Sequence, residues 1–219
     1  MQLINEVKFL IGKELLLEWR SKYALSGVIL YVVSTIFVCF LSFVTLKGAS
    51  WNVVFWIIML FASINTVSKS FLQETKGRQL YIYTIASPIA LILSKTIYNV
   101  ILMLLVTLIA LAFYSLVFDY LPQDMGLYIV AVILGSISFS TIFTMISAIA
   151  SKAGNGGMLM AILSFPVIIP VIGMLIKLSR NAVDGLDRSV SLDEIAILLI
   201  INVLVIASSL LLFPYLWRD

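Results

Sequence analysis

The chain has 219 residues, of which 62% are hydrophobic and 11% charged, with a formal net charge of +3. An ordinary soluble domain is roughly 25% charged and 45–50% apolar, and a sphere of this size cannot hide such an apolar excess from water, so a soluble globule, a disordered chain and a disulfide scaffold are excluded. There is no histidine, and Cys39 is the single cysteine, which removes the commonest metal ligand and general base and any intrachain disulfide.

Residues 3–20 open the chain as an amphipathic helix. Leu3, Ile4, Val7, Leu10, Ile11 and Leu15 fall on one arc at 100° per residue, with Asn5, Glu6, Lys8 and Lys13 elsewhere and Glu14 inside the arc. The pattern predicts a helix lying on the membrane surface before the chain turns in at 21–23. A plain basic topogenic tail is the alternative.

Six apolar runs follow, at 23–46, 51–68, 96–118, 126–151, 157–176 and 195–217, and none contains Asp, Glu, Lys or Arg. A bilayer core about 30 Å thick needs roughly 20 apolar helical residues, so each run is long enough, or nearly so, to span. The runs are continuous, without the alternation of barrel strands. The first exceeds a signal-peptide core and is preceded by Glu6, Glu14 and Glu18, so it reads as a retained anchor. Residues 47–50 form a tight hairpin between the first two spans. Ten of the fourteen Lys and Arg fall on the side of the N-terminus and the even-numbered connections, which predicts both termini in the cytoplasm. The net charge therefore reads as topology and not as a nucleic-acid footprint.

The longest connection on that side is 69–95. Its polar start, through Glu74, Gly77 and Arg78, gives way to Leu80, Tyr81, Ile82 and Tyr83, then to Ser87 and Pro88. Ser87 suits an N-cap and Pro88 the first turn of a new helix. A short apolar helix is thus bracketed by Gly77 and Pro88. It either docks on a partner or packs on lipid headgroups.

Ser136, Ser140, Thr144, Ser147 and Ser151 recur at steps of three or four on the fourth span, one face of small hydroxyls that suits close helix packing more than a hydrophilic path. The fifth span carries Pro166 and Pro170 near its centre. Each removes a backbone donor, making a hinge or a static kink.

No chemistry is visible beside these elements. The one Gly-rich loop, Lys152 to Gly157, has its lysine before the glycines, the wrong order for a phosphate-binding loop. Lys152 and Ser151 are neighbours on a helix and do not face each other as a dyad would. The spans hold no acid or base of the kind that couples transport to ions. Directed transport would therefore need a partner to supply energy.

Two segments carry a family resemblance. The first is Phe71-Leu72-Gln73-Glu74-Thr75-Lys76-Gly77-Arg78-Gln79-Leu80 with Ser87-Pro88 and Lys95. The second runs from Lys152 through Gly156-Gly157 and Ile162-Leu163 to Pro166 and Pro170. With the six-span layout, they make the chain resemble the CcmB family of heme exporter protein B, the membrane subunits of the cytochrome c maturation ABC complex. The family often has an acid after its Gly-x-Leu element, and Tyr81 stands there instead. The resemblance implies an all-α polytopic, ABC-2-type permease fold forming one transmembrane domain over 1–219. It implies a CcmA-like ATPase that binds ATP, CcmC-like and CcmD-like membrane subunits, a CcmE-like heme chaperone reached through the complex, and a homodimer. It places Glu74, Gly77, Arg78, Leu80, Tyr81 and Pro88 at an ATPase-coupling helix and makes Pro166 and Pro170 a hinge. Heme is the transported or handled ligand, no cofactor or metal is held by this chain, and the location is the inner membrane. The function implied is a non-catalytic permease subunit that couples ATPase motion to heme export or chaperone release. The alternatives are a non-transporting scaffold and another ABC-2-type permease.

Overall fold

The computed structural model describes residues 2–21, 23–43, 45–67, 71, 86–152 and 156–218. The described residues form seven α-helices and one 3-10 turn: α1 (Gln2–Ser21), α2 (Tyr23–Ser42), α3 (Gly48–Val67), α4 (Pro88–Phe118), α5 (Met125–Ala150), α6 (Gly156–Val183), the turn Arg188–Ser191, and α7 (Leu192–Arg218). Six of them, α2 to α7, are long and apolar enough to cross a membrane. The chain is a polytopic helical membrane protein, as its composition predicts.

Helix α5 is the centre of the bundle. It is the most buried span, at 72% of its residues, whereas α2 and α7 are each 17% buried. It packs on α4, α6 and α7, and α3 wedges between α2 and α6. The hydroxyl face of α5 is the reason α4 can approach. Ser140 Oγ donates to the Asn99 carbonyl at 3.0 Å, Asn99 Nδ2 donates to Thr144 Oγ1 at 2.7 Å, and Ser136 Oγ donates to Thr107 Oγ1 at 3.2 Å. That face is a packing seam: every one of these side chains is buried. In lipid, small residues and inter-helix hydrogen bonds replace the hydrophobic drive that water supplies elsewhere.

Several boundaries differ from the sequence expectation. Helix α4 starts at Pro88, eight residues before the expected third span, so Lys95 lies inside a membrane-length helix and is 2% exposed. Helix α6 runs to Val183, past the expected end at 176, and takes Lys177 and Arg180 with it. In both cases a charge that reads as the edge of a loop is carried by a helix whose chain of backbone bonds has no reason to stop there. Lys177 is 67% exposed in its side chain and pairs at 2.8 Å with Glu194 in the first turn of α7. Helix α2 ends at Ser42, and α3 begins at Gly48 with φ +58°, a left-handed conformation that favours glycine. The connection between the two helices thus lies ahead of the expected 47–50.

The bundle end away from α1 is locked by an aromatic knot. Trp51 is fully buried and lies 4.9 Å from the Tyr114 ring, 5.3 Å from Tyr120 and 5.6 Å from Tyr128. Tyr114 Oη donates to the Trp51 carbonyl at 2.9 Å, Asn52 Nδ2 to the Ile176 carbonyl at 3.0 Å, and Trp56 Nε1 to Ser179 Oγ at 2.7 Å. Helices α3, α4, α5 and α6 are pinned together at this end, and the opposite end carries the features that bear on function.

Candidate functional site

At the α1 end, a second and smaller core gathers Leu10 of α1, Phe71, Ala90, Leu91 and Ile92 of α4, Ala148 of α5 and Phe213 of α7, with Val7 and Ala86 packed against it. Phe71 follows α3, and Ala86 precedes α4. Phe71 and Ala86, which flank residues 72–85 in sequence, are therefore both packed in one knot that touches four helices. Phe71 is 3% exposed, its ring lies 5.6 Å from that of Phe213, and Lys95 Nζ sits 4.7 Å above it.

The start of α4 is built as the sequence predicts. Ser87 has extended backbone (φ −72°, ψ 145°), its hydroxyl accepts from the Ala90 N–H, and Pro88 occupies the first turn. What sequence reading missed is the partner of that cap. Glu6 Oε2 of α1 accepts from Ser87 Oγ at 2.8 Å and from Ser87 N at 3.3 Å. Farther along the same pair of helices, Glu14 lies 4.0 Å from Lys95 Nζ, and Glu18 Oε2 accepts from Tyr98 Oη at 3.1 Å. Glu18 Oε1 also accepts the Leu25 N–H at 2.8 Å, one of the amides at the start of α2 that has no helical acceptor.

Three carboxylates of α1 thus clasp residues 87, 95 and 98 of α4, and this turns α1 from the expected face. Leu10 is buried, as a residue of the predicted apolar arc, but Ile4 is 59% exposed, and Phe9, Leu16 and Trp19 point away from the protein at 75%, 67% and 84%. The acid-bearing face goes inward because Ser87, Lys95 and Tyr98 satisfy it, and a second set of apolar side chains is left facing out. Glu14 within the apolar arc was the one sequence signal of this.

Of the predicted coupling residues, Pro88 heads α4. Glu74, Gly77, Arg78, Leu80 and Tyr81, and the short helix between Gly77 and Pro88, lie outside the described residues. Pro166 and Pro170 lie within α6, which runs unbroken through both. They mark a boundary along it. Beyond them Val171, Leu175 and Leu178 are fully buried, whereas before them Met158, Ile162 and Phe165 are 58–67% exposed. The prolines are far from the α1–α4 clasp in sequence.

The family model described as CcmB protein matches residues 6–215, which takes in the clasp, the knot and all six spans. No curated protein matches the chain.

Proposed function

The chain belongs to the CcmB family, and from that premise we propose that it is the membrane permease subunit of an ATP-driven ABC complex in heme trafficking for cytochrome c maturation, coupling ATPase motion to heme export or to release of a heme chaperone. Its partners on this reading are a CcmA-like ATPase, CcmC-like and CcmD-like membrane subunits, a CcmE-like chaperone reached through the complex, and a second copy of itself. The chain itself is non-catalytic: ATP is bound and hydrolysed by the ATPase, and heme is cargo. It resides in the inner membrane with both termini in the cytoplasm, which puts the clasp on the side where an ATPase works.

The observation that carries this reading is the anchoring of Phe71 and Ala86 in one small core with α1, α4, α5 and α7. A push on a segment whose flanking residues both pack in a single knot is passed to that knot, and packed cores transmit displacement because they are dense. Glu74, Gly77, Arg78, Leu80 and Tyr81 are assigned to the ATPase contact, and Pro88 to the point where the push enters α4. The aromatic knot holds the far end of the bundle, so the movement is taken up between the two, with Pro166 and Pro170 as the hinge where α6 passes from its exposed to its packed half.

The test is co-purification. Replacing Leu80 and Tyr81 together by Asp puts two charges on an apolar contact and abolishes retention of the ATPase, while the chain still inserts and unfolds like the parent. Full retention of the ATPase by a folded double variant would overturn the assignment.

A further inference from the structure

We propose that the groove between the end of α4 and the start of α5 binds one single-chain lipid whose uncharged head carries an ester and hydroxyls, a monoacylglycerol in kind. The inference needs only the membrane fold and is independent of the heme reading. The groove lies at the end of the bundle away from α1 and has a volume of about 540 Å³, within the range of small-molecule sites. One wall is a strip of α4 from Leu108 through Ala112 and Ser115 to Asp119, and the other is Met125 and Ile129 of α5. Asp119 ends α4 in a left-handed conformation (φ 47°, ψ 49°) with its N–H bonded to the Ser115 carbonyl. The turn it makes brings Tyr120 and Leu121 to the same groove.

The observation that calls for a ligand is the Ser115 hydroxyl. Ser115 is 8% exposed, and among the described residues its hydroxyl makes no hydrogen bond. Ser136 and Ser138 on α5 and Ser179 on α6 return their hydroxyls to the carbonyl four residues back, a common resort of serine inside a helix. Ser115 does not, so a group that can donate and accept stands unpaired against a groove of hydrocarbon. An unsatisfied buried hydroxyl is destabilising, and a ligand atom that bonds it removes that penalty. The second polar group is the Asp119 carboxylate, four residues and about 6 Å farther along the helix. It is exposed and has no hydrogen bond or ion pair among the described residues.

Each level of the groove dictates one part of the ligand. From Leu108 to Asp119 the α4 strip is about 16 Å long. Spread over that length, the volume makes a channel about 6 Å across, wide enough for one extended hydrocarbon chain. A chain alone would leave Ser115 unpaired, whereas an ester carbonyl at its height accepts the bond from Ser115 Oγ. An ionised carboxylate can only accept, so the group beside Asp119 must donate. The hydroxyls of a glycerol head do so, a few bonds from the ester. A phospholipid places a phosphate at that height instead, acceptor against acceptor. A partner's helix, about 10 Å across, is too wide to enter the channel and reach Ser115.

Native mass spectrometry of the full chain in detergent, titrated with monoolein and with oleoyl lysophosphatidylethanolamine, tests this. The parent chain retains one monoolein and holds it severalfold more tightly than the lysophospholipid. Ser115→Ala lowers retention of monoolein by about 2–10-fold, the loss of one hydrogen bond. It also raises the unfolding temperature of the lipid-free chain, because the unpaired hydroxyl is gone. Ala112→Phe gives a second arm. Ala112 is an exposed residue of the channel wall, so the added ring blocks the channel, lowers retention of both lipids and leaves the unfolding temperature unchanged. Monoolein held no more tightly by the parent than by Ala112→Phe, or no more tightly than the lysophospholipid, would overturn the proposal. So would a Ser115→Ala chain that retains monoolein as the parent does or unfolds at a lower temperature, since the hydroxyl would then have its partner within the protein.

Discussion

Glu6 takes both the hydroxyl and the backbone N–H of Ser87 on a single carboxylate oxygen, at 2.8 and 3.3 Å. The two residues are 81 positions apart, and the contact joins the first helix to the first turn of α4. Ser87 is at once the N-cap of α4 and the neighbour of Ala86, which is packed in the small core that also holds Phe71. The acid sits where the positive end of the α4 dipole favours negative charge. Helix α1 is therefore fixed to the start of α4 by named polar contacts, more than an attachment to the surface.

A double-mutant cycle measures that contact. Glu6→Gln and Ser87→Ala should each destabilise the chain, and together should cost less than their sum, with a coupling of about 1–2 kcal/mol, the usual range for a hydrogen bond to a charged group reduced by partial exposure. Unfolding in detergent reads the four stabilities. Strict additivity would mean that the two side chains do not support each other.

Packing gives a sharper contrast between two glycines, Gly135 on α5 and Gly173 on α6. A Cβ at Gly135 would lie 2.5 and 2.6 Å from carbons of the buried Trp56 ring and 3.3 Å from Leu175. The indole is held by its bond to Ser179 and cannot swing aside. Gly135→Ala should therefore destabilise by about 1–3 kcal/mol through overpacking. A Cβ at Gly173 meets nothing within 4 Å, so Gly173→Ala should be neutral or stabilising by up to about 1 kcal/mol, the helix propensity gain. The same unfolding assay, run on both variants, should put them on opposite sides of the parent.

These cases show which parts of the structure were legible in the sequence. The six spans, the Ser87–Pro88 start of α4 and the hydroxyl seam of α5 follow from local rules of length, capping and periodicity. The inclusion of Lys95 in the membrane-length helix α4 and the end of α6 do not, because a lysine read in isolation looks like the edge of a loop. Lys95 is buried with Glu14 and the Phe71 ring, and only the fold brings those three together. The Glu6–Ser87 bond was likewise invisible, since nothing local couples positions 81 residues apart. Pro166 and Pro170 were plain to see, but their place between the exposed and packed halves of α6 depends on the neighbours of that helix.

The α4–α5 seam supplies a prediction about energy inside the membrane. Asn99 bridges the two helices twice, donating to Thr144 Oγ1 and accepting from Ser140 Oγ. Inter-helix hydrogen bonds in membranes couple by about 0.6 kcal/mol on average and up to about 1.7. An Asn99→Leu, Thr144→Val cycle should fall near the top of that range, since neither group has water to fall back on. A coupling near zero would show that the Asn99–Thr144 bond adds nothing to the hold of α4 on α5.

The last prediction concerns pH and the end of the bundle away from α1. Asp124 caps α5 by accepting the Leu127 N–H at 3.0 Å, and it receives Arg188 in a two-pronged contact, Nε at 2.7 Å and Nη2 at 3.0 Å. The hydrogen bonds from Arg188, then the Leu127 amide, outweigh desolvation and lower the Asp124 pKa from an ordinary 3.8 to about 2. A carboxylate whose pKa is depressed by folding contributes stability that is fully present above its ordinary pKa and is lost as pH falls toward the folded value. The unfolding temperature of the parent should therefore decline between about pH 4 and pH 2 more steeply than that of Asp124→Asn, which keeps a capping oxygen but has no proton to take up. Parallel curves for the two proteins over that interval would show that the Arg188 contact does not bind the charged form of Asp124 in preference to the neutral one.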